Sequence, residues 1–163
     1  MKKKFILVVI VGLLQFEFFM IQAQTTEKKL NQVELMKQFL GTWKCNPGRD
    51  SVETWIVKSF GNGFEYYATG VYKDKTYWEE KNLWGFNSKS ETWMIFILYP
   101  QGNYATYYGK FISNNEIVWD GFDISNPEKI IARGGALFSS PDKFTFIWYT
   151  DGKKSEVTYN RIK

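Results

Sequence analysis

The chain has 163 residues, 19% of them aromatic, a formal charge of +4, one cysteine and no histidine. A lone cysteine excludes an intrachain disulfide, and the missing histidine excludes imidazole-ligated metal sites and imidazole-assisted nucleophilic catalysis. So small a positive excess gives no electrostatic case for nucleic acid or a strongly anionic membrane surface.

The elements run as follows. Lys2, Lys3 and Lys4 precede an apolar run from Phe5 to Leu14, and Ala23 stands where a signal peptidase cuts. This predicts a signal peptide over residues 1–23, leaving one domain over 24–163 with no stable membrane anchor after cleavage. Gln15 and Glu17 interrupt the apolar run, whereas a spanning helix needs about 20 mostly apolar residues. Removing three lysines and one glutamate with the leader lowers the charge from +4 to +2.

Residues 27–40, EKKLNQVELMKQFL, carry Leu30, Val33, Met36 or Lys37, and Leu40 at helical spacing. Asn31 and Glu34 form a candidate capping box, and Gly41 stands where a C-terminal cap ends the helix. Everything after Gly41 reads as strand. Aromatic and β-branched runs cover about 41–45, 51–60, 64–72, 76–86, 91–99, 103–112, 116–124, 129–138, 143–149 and 155–162. Turn residues such as GNG, KDK, PQG and SSPD separate them. No second helix is long enough for a parallel crossover, so the pattern predicts an all-β antiparallel up-and-down barrel of about 8–10 strands. Gly134 and Gly135 predict a bend in the 129–138 strand. The run TWMIFIL, 92–98, is apolar on both faces, so its outer side requires cover from the helix or from a second copy of the chain.

In TYWEEKNLWGF, residues Trp78, Glu80, Asn82, Trp84 and Phe86 share one face. Pointed inward, that face places Glu80 and Asn82 as polar groups within an apolar cavity. Tyr107, Trp119, Phe146 and Trp148 on later strands complete the candidate ligand-binding set. Adjacent Glu79 and Glu80 point to opposite faces and cannot act as a carboxylate dyad.

A short helix, then Gly41-Thr42-Trp43 opening the first of many meandering strands, resembles the lipocalin-like branch of the calycin barrels, and most closely the small lipocalin-like domains exported by bacteria. The resemblance implies that Trp43 plugs the closed base of the barrel, with Arg161 of VTYNRIK packed over its ring; Gly41, Trp43 and Arg161 are then structural. The chain departs from true lipocalins in ending on a strand. It departs from the fatty-acid-binding group in lacking a helical pair between Cys45 and Ser51. The histidine ligand of haem-binding relatives is absent, so that function does not carry over.

Cys45 shares the face of Trp43 and has no histidine to hold its proton, so it reads as buried core. Asp120 and Asp123 in WDGFD lack the further acidic ligands of a calcium loop, and no metal or cofactor is implied. Arg133 reads as a solvated outer residue. The leading expectation is an exported, periplasmic or secreted, non-catalytic binding protein for a small apolar or amphipathic ligand. Two alternatives remain open: a filled barrel serving as an envelope interaction module, with a homodimer through 92–98, or an enzyme built on carboxylate or tyrosine acid–base groups.

Overall fold

The computed structural model describes residues 29–162 apart from 124, 127 and 151. The predicted leader and the first residues of the predicted helix lie outside that set. Asn31 has non-helical backbone angles, and its Oδ1 accepts the Glu34 backbone N–H at 3.2 Å. That cap starts helix α1 at Gln32 rather than at 27. α1 spans Gln32–Met36 and tightens into a 3-10 turn at Lys37–Phe39. The chain leaves the turn at Leu40, already extended with ψ 137°. Gly41 is therefore not the helix cap. It opens the first strand with φ +115°, and a Cβ there would meet Arg161 Nη1 at 2.8 Å.

The strands are β1 Gly41–Cys45, β2 Ser51–Phe60, β3 Gly63–Tyr72, β4 Lys75–Asn87, β5 Thr92–Leu98, β6 Tyr104–Phe111, β7 Glu116–Phe122, β8 Ile130–Ser140, β9 Lys143–Thr150 and β10 Lys153–Ile162. Among the described residues, each strand pairs antiparallel with the next, and β1 pairs with β10 to close an up-and-down barrel of ten strands. Closure leaves no free sheet edge. Period-2 alternation puts one set of side chains inside. On β1 these are Trp43 and Cys45, on β3 Phe64, Tyr66 and Ala68, and on β9 Phe144 and Phe146.

One end is filled. Met36 and Phe39 drop from α1 and its turn onto Trp43, Phe138 and Phe144. Trp43 is fully buried, and its indole N–H donates to the Phe39 carbonyl at 2.7 Å. The Arg161 guanidinium lies 4.1 Å from the centre of the Trp43 ring. It also donates to the carbonyls of Leu40, Gln38 and Pro141, and so ties the helical turn to the last strand. Gln32 moors the helix at a second point. Its side-chain amide donates to the Phe111 carbonyl at 2.9 Å and accepts the Phe111 N–H at 2.7 Å, as a neighbouring strand would.

The helix therefore caps the barrel end and leaves the outer face of β5 uncovered. Met94 and Leu98 are 45% and 46% exposed. The pairing runs without a register shift through Gly134 and Gly135; the register of β8 against β9 shifts at Phe138–Ser140, past the glycines.

Candidate functional site

The other end of the barrel is hollow. A cavity of about 380 Å³ runs from Met36 and Phe39 at its floor to Trp148, Tyr149 and Thr150 near its mouth. All eight residues of the predicted inner set, Trp78, Glu80, Asn82, Trp84, Tyr107, Trp119, Phe146 and Trp148, line it. Gly41, Trp43 and Arg161 lie outside it, at the filled base.

The lumen stays open because of register. Gly70 stands opposite Trp78, Gly121 opposite Tyr107, and Gly134 opposite Trp119. Each ring rests on its glycine. A Cβ at Gly70 would meet Trp78 Nε1 at 2.2 Å, one at Gly121 would meet Tyr107 Cε1 at 2.5 Å, and one at Gly134 would meet Trp119 Nε1 at 2.4 Å. Three large rings thus lie along the wall instead of across the centre. Gly134 supplies clearance for a neighbour's ring.

The polar groups form two clusters. In the first, Glu53 of β2 accepts from Tyr159 at 2.5 Å and from Tyr77 at 2.9 Å, and the Cys45 thiol lies 3.7 Å from the same carboxylate. Burial pushes the Cys45 thiol up to about 12, so it stays protonated and is a poor nucleophile. Burial, then the bond to Glu53, holds the Tyr159 phenol far above its ordinary value. In the second cluster Asn82, 2% exposed, donates to Glu80 Oε1 at 3.1 Å. Burial raises the Glu80 carboxyl above its ordinary value; the Asn82 bond opposes the rise and the charge of Glu53 adds to it. Tyr66, Tyr99 and Tyr107 are likewise raised by burial, with the Glu80 charge as a further cause. Glu79 turns outward and accepts from Tyr67 at 2.9 Å.

Glu53, Tyr66, Tyr99 and Tyr159 are cavity residues that the predicted set omits. A signal for Glu53 exists, because it alternates with Trp55 and Val57 in SVETWIV. The indole N–H groups of Trp55 and Trp84 are buried with no hydrogen-bond partner among the described residues. Both rings pack on Tyr66, at centroid distances of 5.0 and 5.5 Å.

Among the described residues no cluster of carboxylate or thiol groups has the grouping of a metal site. Asp120 pairs with Arg133 across the β7–β8 register at 3.1 Å, and Asp123 accepts from Ser125 and faces Lys129. Arg133 is largely exposed at the rim. Chemically the cavity offers a desolvated carboxyl able to exchange a proton, surrounded by rings. Among the described residues its lining includes no lysine to act as a nucleophile. A scan against protein-family models finds none that matches the chain, and a search of curated proteins likewise finds no match.

Proposed function

We propose that the protein is a non-catalytic binding protein that takes one small apolar or amphipathic molecule into the open half of its barrel. The cavity carries this reading. Its volume of about 380 Å³ lies at the low end of the range for ligand pockets. Its lining joins many rings to a few convergent polar groups, as orientation-fixing sites do. The helix at the barrel base, with Arg161 stacked on Trp43, supports placing the chain with the lipocalin-like domains. The three leading lysines, the apolar run and Ala23 support export to the periplasm or beyond. Native mass spectrometry of the protein purified from the cells that make it is expected to show one bound small molecule per chain. Protein that is consistently free of any such molecule would overturn the reading.

A second reading, an interaction module that pairs through residues 92–98, is favoured by one observation. Leu83, Met94, Leu98, Tyr104 and Tyr108 are exposed together across the outer faces of β4, β5 and β6. Light scattering is expected to give a dimer that Leu98→Lys converts to monomer. A wild-type monomer at high concentration removes this reading.

A further inference from the structure

We infer that the cavity selects a ligand carrying a positive charge, an organic ammonium whose head rests among aromatic rings against Glu80. This deepens, and rests on, the small-molecule reading above.

A carboxylate taken out of water needs a cation or several donors around it. The two carboxylates of the cavity differ in this respect. Glu53 is satisfied by the protein, since Tyr77, Tyr159 and Cys45 all point donors at it. Among the described residues Glu80 receives one donor, the neutral amide of Asn82. Among the described residues no ion pair includes it and no lysine lines the cavity. The one lining arginine, Arg133, is at the rim, and its guanidinium pairs with Asp120 on the outer face. The described residues thus build a partly desolvated anion with no counter-ion among them.

The surroundings of Glu80 suit that missing partner. Ala68, a small inward side chain of β3, stands opposite it. Trp78 shares its face on β4, and Tyr66, Tyr99 and Tyr107 line the same cavity. Aromatic faces attract cations, tryptophan most strongly, and the attraction grows when water is excluded. An anionic head, as in a fatty acid, would meet Glu80 and Glu53 with only the rim arginine, already paired with Asp120, as a cation among the described lining residues.

The titratable groups facing Glu80 are Glu53, Tyr66, Tyr99 and Tyr107. The three phenols are all held above their ordinary value and stay neutral through the acid range. Affinity for a permanent cation should therefore fall with pH as Glu80 gains its proton, above the ordinary carboxyl value of 4.5.

The test compares three molecules of similar shape by calorimetry and tryptophan fluorescence: phenyltrimethylammonium, neutral tert-butylbenzene and benzenesulfonate. The cation is expected to bind at least about tenfold tighter than the neutral molecule, with the sulfonate weakest. Glu80→Gln is expected to cost the cation at least about tenfold and to leave tert-butylbenzene within about twofold. The free variant should melt no lower than wild type, because it sheds a desolvated charge; a merely structural role for Glu80 would lower its melting temperature instead. If the neutral molecule or the sulfonate binds as tightly as the cation, or if Glu80→Gln leaves the cation unaffected, this inference fails and the small-molecule reading stands. If none of the three binds and native mass spectra still show a host molecule, this inference alone fails. If none binds and the spectra are empty, both fail.

Discussion

Trp43→Ala should destabilise the protein by about 3–5 kcal/mol, the range for deleting a buried tryptophan. The ring is fully buried and contacts Phe138 and Phe144 edge-on, with centroids at 6.2 and 4.8 Å. Its N–H also holds the Phe39 carbonyl at the end of the helical turn. Removal opens a void at the filled end and strips Arg161 of the face it covers. Arg161→Ala should cost less in packing, but it abandons the carbonyls of Leu40, Gln38 and Pro141. A double-mutant cycle on the pair should give a coupling of about 0.5–2 kcal/mol, since the guanidinium is partly desolvated over the ring. Urea unfolding of the four proteins measures both quantities. A loss under about 1 kcal/mol for Trp43→Ala, or no coupling, would show that the base of the barrel is held by something else.

Gly121→Ala is the second large effect, and it separates the cavity from the fold. The three atoms nearest an added Cβ all belong to the Tyr107 ring, at 2.5, 2.8 and 3.1 Å. The closest contacts are thus with a side chain, and the largest strain is relieved when that ring leaves the wall. The only room is the lumen. The expected cost is about 1–3 kcal/mol of stability, as for other overpacked sites, together with a smaller cavity and at least a tenfold loss of affinity for the bound molecule. Gly85→Ala is the control: it sits on the exposed face of β4 with nothing within 4 Å of its Cβ, so it should change stability by under about 0.5 kcal/mol. A structure of Gly121→Ala with Tyr107 unmoved and the cavity unchanged would show that the glycines are not what keeps the lumen open.

Much of this was legible along the chain because alternation is a local property. Side chains two apart on a strand share a face whatever the fold, so Trp78, Glu80, Asn82 and Trp84 travel together. The helix was legible as an element but not in length. Its apolar spacing extends to residues that Asn31, by capping at Glu34, excludes from it. The apolar outer face of TWMIFIL implied a cover that α1 does not provide, because Gln32 and Arg161 direct α1 to the end of the barrel rather than to its side.

The sequence by itself determined the antiparallel meander, the strand limits to within a residue or two, and which residues of each strand share a face. Short runs with tight turns permit little else. Tertiary structure alone decided which contacts cross the barrel and whether the interior is full. Tyr159 meets Glu53 over a separation of 106 residues, which requires β1 to join β10. The lumen exists because the register sets Gly70, Gly121 and Gly134 opposite Trp78, Tyr107 and Trp119. A shift of one residue in any of those pairings would put each ring against a side chain on the other face. That Glu80 receives only the Asn82 amide among the described residues is likewise a property of the closed barrel, since only the assembled wall shows what surrounds it.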